Sequence, residues 1–519
     1  MSLRRVKRGK AVGPDRIAAE TVKDNDLLIP VLTRAYNEIF DSAAIPREWS
    51  EAHVKPLFKG KGPADEASSY RCISLTPHLY KCFTSILSQR LTLECLPKIS
   101  EHQHGFLPHR SCEEAVQSLM EFIEGSTLPT YAVFVDFRSA FDNVGRRRLM
   151  DAISEKYDIK GKILNTLEAI LRPNNLIIDN GFELNRPVQQ QKGIIQGDSV
   201  SPLLFIIFVN SLLERLERRK VFSKMFADDL VVAAQDTGEL QLALNAITIW
   251  SRENGMAVNT EKTKAVKFRK AGPLGNQKLY MNRTPVKFVP TFKYLGIIVQ
   301  PALGFGDHVD QILTRTAKII VCLGNLQRLP VDLAQKVFEM KIMPIVIYGM
   351  AAIAPKLAKA NMLKLDRCKS MYIKTVLGLS RYTSNTCTLA LVNEMTLCED
   401  LRNRGYTFSA WNAYEEDINK KRSAHQRKNF DQGPAFRRQD WKQPHRSDRA
   451  AICRATYHGY HHKLCQRKDF FDEDNELCTC IYCGQRKIDR YHITTCKHFE
   501  NKSIQTIVRE LTKPAENCE

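Results

Sequence analysis

The segment Phe226-Ala227-Asp228-Asp229-Leu230 constrains this chain more than any other stretch. Two adjacent acids stand between apolar runs, with Val221, Phe222, Met225 and Phe226 before them and Leu230, Val231 and Val232 after. Such a pattern predicts two short buried strands with both acids at the turn between them. An isolated Asp-Asp pair ordinarily sits on a solvated turn, and apolar flanks on both sides argue against that here. Holding two carboxylates side by side in a protein-rich setting is unfavourable unless a cation offsets it. A divalent metal is the expected cation.

A third acid strengthens this reading. Tyr131-Ala132-Val133-Phe134-Val135 has the pattern of a buried strand and runs into Asp136 and Phe137. Arg138-Ser139-Ala140-Phe141-Asp142 then reads as the turn into a helix. Asp136 at a strand end, with the backbone carbonyl of Phe137 beside it, can converge with Asp228 and Asp229 on two Mg²⁺ ions. Two metals about 3.5–4 Å apart activate an attacking hydroxyl and stabilise the leaving oxygen of an in-line phosphoryl transfer. Mg²⁺ takes oxygen ligands and keeps places for water or phosphate; Mn²⁺ is the alternative. Asp142 is expected to cap or pair rather than to ligate.

Composition bounds the partners. The chain has 519 residues and a net charge of +20, enough length for several domains. An excess of Lys and Arg implies a polyanion whose released counterions supply affinity. No apolar run approaches the roughly 18 residues of a membrane span, and no signal-peptide pattern opens the chain. Nucleic acid is therefore expected rather than a membrane surface. Fifteen irregularly spaced cysteines predict free thiols in a reducing compartment rather than a disulfide scaffold.

Residues 1–130 read as helix-rich with basic loops, and 131–300 as alternating strands and helices. From 301 to 400 apolar residues such as Val309, Ile312, Leu313 and Ile320 recur at helical spacing. Residues 401–450 read as a basic helical segment and linker, with Gly433, Pro434 and Pro444. Residues 451–519 hold Cys480-x₂-Cys483-x₈-His492-x₃-Cys496, a spacing able to supply four zinc ligands in a tetrahedron. Cys478 and His498 are possible substitutes in that set. Nearby Lys463, Arg467 and Lys468, with Tyr457 and Tyr460, suit phosphate contacts and base stacking.

In chain order, Phe134-Val-Asp136-Phe-Arg-Ser-Ala-Phe141-Asp142, Lys192-Gly-Ile-Ile-Gln196-Gly197-Asp-Ser-Val-Ser201-Pro202 and Phe226-Ala-Asp228-Asp229 together resemble a reverse transcriptase. Gly13-Pro14-Asp15, Tyr70-Arg71-Cys72-Ile73-Ser74-Leu75, His104-Gly105-Phe106, Asn259-Thr-Glu-Lys262-Thr-Lys264 and Tyr294-Leu295-Gly296 are similar to motifs of the non-LTR (LINE-type) retrotransposon branch. The resemblance implies an α+β right-hand polymerase. Fingers would occupy 1–130, a catalytic palm 131–300 and a helical thumb 301–400, followed by a zinc-knuckle tail. It implies RNA-templated DNA synthesis from a primer 3′-hydroxyl, with dNTPs, an RNA template and a DNA primer or target as partners. The setting implied is a ribonucleoprotein of nucleus and cytoplasm.

The resemblance also assigns roles. Asp136, Asp228 and Asp229 hold the Mg²⁺ ions. Lys59 and Arg71 meet the incoming triphosphate. Phe141 crowds the 2′-carbon of the sugar and excludes ribonucleotides. Gln196 and Gly197 form the loop under the template base and nucleotide. Lys262 helps protonate the leaving pyrophosphate, although Lys262 and Lys264 also read as solvated charge. Cys480, Cys483, His492 and Cys496 hold one Zn²⁺, with a spacer one residue shorter than the branch usually has between His and the last Cys. The branch usually carries an endonuclease, and none is expected in this chain. Two rivals stand beside this reading. An RNA-dependent RNA polymerase is disfavoured by Phe141 and Gln196-Gly197. A catalytically silent nucleic-acid-binding remnant is disfavoured by the intact set of acids.

Overall fold

The computed structural model describes residues 7–23, 25–60, 62–179, 186–219, 221–268 and 278–429. The expected zinc set Cys480, Cys483, His492 and Cys496, with Cys478, His498 and the nearby basic and aromatic residues, lies outside the described residues. The chain divides into two compact units: Met1–Gly296 with Gln300–Ala302, and Ile297–Val299 with Leu303–Glu519. The architecture is mixed α and β.

In the first unit, two N-terminal helical segments, Ala19–Lys23 and Leu28–Ser42, precede strands β1 (Glu51–Phe58) and β2 (Tyr70–Leu75), then helices α1 (His78–Cys95) and α2 (Cys112–Glu124). Strand β3 (Thr130–Val135) and the short β4 (Phe137–Arg138) follow. After β5 (Asn174–Ile178) and β6 (Val188–Gln190) come helix α3 (Ser201–Glu217), then β7 (Phe222–Phe226) and β8 (Asp229–Ala234). Helix α4 (Thr237–Glu253) leads to β9 (Ala257–Val258), β10 (Lys264–Phe268) and β11 (Lys287–Phe288). The central sheet has the order β11-β10-β3-β8-β7. A second sheet has the order β2-β1-β5-β6.

Side-chain pattern explains these places. Every residue of β3 is buried, as suits a strand flanked by β8 and β10 with both faces covered. Strand β7 alternates instead, burying Ser223 and Met225; it lies at the edge of the sheet. Helix α3 buries twelve of its residues, and a helix apolar nearly all round belongs in a core. It starts at Ser201 with Pro202 in its first turn, where a missing N–H costs nothing. Trp250 of α4 is buried and donates its indole N–H to Ser211 Oγ at 2.9 Å. Its ring meets Phe137 and Phe208 edge-on.

Two local expectations are corrected. The chain after Asp136 does not turn directly into a helix. Phe137 and Arg138 pair with Val258 and Ala257, Phe141–Asn143 makes a single 3₁₀ turn, and the helix begins only at Arg146. Ser139, with φ of 43°, breaks the helical path. The first 130 residues also hold the β1–β2 pair, which a helix-rich reading passed over. Pro56 disguises β1, yet it is tolerated because β5 pairs only with Glu51–Val54, so no ladder needs an N–H at Pro56 on that side.

The second unit is helical after Ile297–Val299. It contains α5 (Gly306–Cys322), α6 (Val331–Lys341), α7 (Lys359–Leu377), α8 (Leu397–Asn403) and α9 (Trp411–Asn429). Among the described residues no single helix is long and apolar enough to cross a membrane, though one bent pair, Val331–Ile347 with Met350–Lys356, passes by length and composition. Helix α7 buries one face against α5, α6 and α8 and ends at Gly378, whose φ of 67° closes it in the left-handed conformation.

Candidate active site

Register brings the three acids together. Strands β3 and β8 run antiparallel with Val135 opposite Leu230. The next position out on each strand is Asp136 and Asp229. Strands β7 and β8 pair Phe226 with Asp229, leaving Ala227 and Asp228 as a two-residue hairpin loop. Ala227 takes a left-handed φ of 57°, a conformation disfavoured for a residue with a Cβ.

The acids act on one another electrostatically. The Asp228 carboxyl titrates above its ordinary range, chiefly from burial, with the Asp136 charge adding to the rise and Arg71 and Lys262 opposing it. Asp229 is solvent-exposed, yet the surrounding protein and the charges of Asp228 and Asp136 hold its pKa up, to about 6. Asp136 Oδ2 has no hydrogen-bond partner although it is buried; the nearest cation, Lys262 Nζ, stands 3.8 Å away. Among the described residues no group of three or more His, Cys, Asp and Glu side chains forms a ready-made metal cage. What the site does offer is an all-oxygen donor set with a spare buried lone pair and mutual repulsion. Those features suit a hard divalent cation.

Lys262 and Lys264, both of which also read as solvated charge in sequence, differ here. Lys262 sits on the turn whose Asn259 N–H donates to the Asp136 carbonyl at 2.7 Å, and its side chain returns to the Asp136 carboxylate. Lys264 donates instead to the Glu261 carbonyl.

Arg71 and Lys59 divide in the same way. Arg71 on β2 lies opposite Leu57 and its charge reaches Asp228. Lys59, just past β1, donates through Nζ to the Ser68 carbonyl at 2.7 Å and acts electrostatically on Asp142 rather than on the three acids. Asp142 pairs, as expected, accepting from Gln196 Nε2 at 3.1 Å. Gly197, with φ of 119°, allows a close approach, but to β2: a Cβ there would meet Ser74 O at 2.5 Å. The Ser74 N–H also donates to the Gln196 carbonyl at 2.7 Å. Phe141 is half-buried and stacks on Phe205 at 4.7 Å with 10° between the rings. Ile194 N–H fixes its carbonyl at 3.0 Å. The Phe137 ring is buried in the core. Tyr294 is likewise buried, tilted against Phe134 at 5.1 Å, and Leu295 and Gly296 follow it with left-handed φ values.

Two features escape sequence reasoning. Asp198 is buried and takes a 2.6 Å bond from Thr84 Oγ1 and a 2.7 Å bond from Ser199 N–H; burial pushes it up to about 6. Gln103, fully buried, accepts at Oε1 from the N–H of Gly105 at 2.9 Å and of Ala227 at 3.0 Å. A polar residue among the apolar ones around α1 and α3 carried no signal of which backbone it would meet.

A β-sheet with three acids at one end, and a strand pair whose Arg71 charge reaches Asp228, is an arrangement able to hold a hard divalent cation. Residues 59–299 match the family model described as reverse transcriptase (RNA-dependent DNA polymerase). The chain is similar to RNA-directed DNA polymerases of non-LTR retrotransposons. The one from mobile element jockey of Drosophila melanogaster is 24% identical over 398 residues, 72% of this chain and 43% of that protein. The probable polymerase of transposon X-element from the same species is 25% identical, over 66% of this chain and 39% of that protein. The Pol polyprotein of type-1 element R2 from Nasonia vitripennis is 25% identical, over 56% and 29%. The chain spans less than half the length of these relatives.

Proposed function

We propose that this chain is the RNA-directed DNA polymerase of a non-LTR retrotransposon, extending a primer 3′-hydroxyl on an RNA template with dNTPs. The observation that carries it is the β3–β8 register, which sets Asp136 beside Asp229 and the Asp228 turn. In this reading Asp136 and Asp228, supported by Asp229, hold two Mg²⁺ ions, with the Phe137 carbonyl as a further oxygen. Bound there, the metal supplies Lewis acidity toward the phosphoryl oxygens. Arg71 sets positive charge toward the triphosphate, with Lys59 further back on the same strand pair. Phe141, braced by Phe205, presents a ring edge to the sugar and leaves no room for a 2′-hydroxyl. Gln196 and Gly197 shape the floor of the pocket through their bonds to Asp142 and β2. Lys262 holds a proton within reach of the leaving pyrophosphate.

The reading extends to the whole chain. Residues 1–130 act as fingers, 131–300 as palm and 301–400 as thumb. The segment 401–450 links them to a tail in which Cys480, Cys483, His492 and Cys496 bind one Zn²⁺ and assist RNA or target-DNA binding. The protein works as a ribonucleoprotein between cytoplasm and nucleus, priming on a nicked target.

Primer extension on an RNA template with dNTPs, beside an Asp228→Ala/Asp229→Ala variant, tests the proposal. DNA product from the parent chain that vanishes in the variant, and is much reduced with rNTPs, supports it. Retained RNA binding without product under Mg²⁺ or Mn²⁺ overturns it and leaves a nucleic-acid-binding remnant.

A further inference from the structure

The hairpin loop that presents Asp228 is not held by its own strands alone. Strand β7 is the edge of the central sheet, and an exposed edge is free to shift unless something covers it. Residues 102–104 cover it. The Met225 N–H donates to the His102 carbonyl at 2.8 Å, and the His104 N–H donates to the Met225 carbonyl at 2.7 Å. Between these bonds Gln103 forms a parallel bridge with Met225.

From that bridge the Gln103 side chain passes to the hairpin loop. Its Oε1 accepts from Ala227 N–H at 3.0 Å and from Gly105 N–H at 2.9 Å. Its Nε2 has no partner, and the residue is fully buried. Burying an amide with one end unmatched is unfavourable, so space filling alone does not account for it. The accepting end does something an apolar side chain cannot. It fixes the N–H of a non-glycine residue in the left-handed region, immediately before Asp228. Gly105 completes the brace from the other side. A Cβ on Gly105 would lie 2.3 Å from Ala227 N and 2.9 Å from its Cα. Backbone meets backbone there, and only glycine permits it.

We infer that Gln103 and Gly105 are positioning residues for the catalytic carboxylates: together they hold Ala227 left-handed and thereby aim Asp228 at the metal and the primer end. The inference rests on the proposed polymerase reading, but its mechanical content, a brace on the acid-bearing turn, stands on the contacts of Gln103 and Gly105 with Ala227. Because both residues act on one atom group, their effects are coupled rather than additive.

The test uses the full chain with an RNA template and DNA primer, and reads two things. One is the split between kcat and the KM for dNTP. The other is Mn²⁺ binding, followed by electron paramagnetic resonance of the free ion with primer–template and a terminated primer present. Gln103→Leu keeps volume and removes the acceptor. The expected result is a kcat lower by about tenfold to a hundredfold, as for a misplaced catalytic group, with KM and primer–template affinity little changed. Mn²⁺ affinity falls in parallel. Ala227→Gly removes the left-handed strain, and in the Gln103→Leu background it restores much of both losses. A Gln103→Leu protein with parental kcat and Mn²⁺ affinity overturns the inference. So does a loss shared equally by primer–template binding and unrelieved by Ala227→Gly. Should Gln103→Leu fail to fold, Gly105→Ala decides: lower kcat and weaker Mn²⁺ binding in a folded chain support the brace, and parental values overturn it. If the parent itself makes no DNA, the polymerase reading fails, while the Mn²⁺ readout still judges the brace.

Discussion

Asp229 in the first unit and Asp366 in the second carry the same shift, led in both by the surrounding protein, yet they differ in what partners them. Both titrate near 6 instead of near 4. Asp366 lies inside α7 and burial raises it, although Cys398 N–H donates to it at 3.0 Å and the Tyr414 hydroxyl at 2.8 Å. That hydroxyl also meets Thr396 Oγ1 at 2.6 Å. Asp366 thus ties α7 to α8 and α9, and each lone pair it uses is spent on a protein donor. Asp229 stands in solvent beside two like charges that raise it further, and Asp136 in the same cluster leaves a buried oxygen without a hydrogen bond, faced only by Lys262 at 3.8 Å. A satisfied buried acid holds helices together. A cluster of acids kept short of partners is held ready for something else, and perturbed acids of that kind gather at functional sites.

The comparison breaks most sharply at Asp228. Asp228→Ala should lower the rate of primer extension about a thousandfold or more, several kcal/mol of transition-state stabilisation. Its melting temperature should match or exceed the parent's, because a repelling charge has gone. A variant that both loses activity and melts early would put these acids in the same class as Asp366. Next in size is Asp366→Ala, which strands the Cys398 N–H and leaves Tyr414 with one partner. A loss of about 2–4 kcal/mol in unfolding free energy is expected from the orphaned donors and the cavity. Denaturant titration measures it, and a loss under about 0.5 kcal/mol would show that the network is not structural.

Asp198 sharpens the comparison further, since it is a satisfied acid within the first unit. Asp198→Asn keeps an oxygen for Thr84 and Ser199, so steady-state extension should stay within a few-fold of the parent. A collapse like that of Asp228→Ala would mean that location, not satisfaction, decides function.

The smallest effect is in pH. An acid whose folded pKa is raised binds its proton more tightly folded than unfolded. Its contribution therefore favours the folded state at low pH and is lost as pH rises from about 4, the unfolded value, to about 6. Asp366→Asn lacks this loss. The stability difference between variant and parent should move in the variant's favour across that window and level off above it. A difference independent of pH would show that Asp366 does not change protonation on folding.

Much of the site was legible in the chain itself. Apolar runs around Asp228-Asp229 demanded a buried hairpin, and the run before Asp136 demanded a central strand, because only such strands bury side chains on both faces. Three acids on a strand end and a hairpin pointed to two-metal phosphoryl chemistry, and the roles of the basic and aromatic residues came from the family resemblance. Less legible was which of two lysines would reach the acids. Lys262 does so because Asn259 ties its turn to the Asp136 carbonyl, a contact across the sheet that no local pattern encodes. The short strand β4 was missed for the same kind of reason: its partner β9 lies far along the chain.

Sequence alone thus determined the hairpin, its acids and the chemical class of the site, since hydrophobic periodicity and side-chain chemistry are local properties. Tertiary structure alone decided that Asp136 faces Asp229, that Gly197 and Gly105 admit neighbouring backbone, and that Gln103 holds Ala227. It also decided which acids are satisfied and which are left wanting. Register, close approach and partner supply are relations between distant segments, settled only when the sheet and helices pack and each buried polar group meets, or fails to meet, its counterpart.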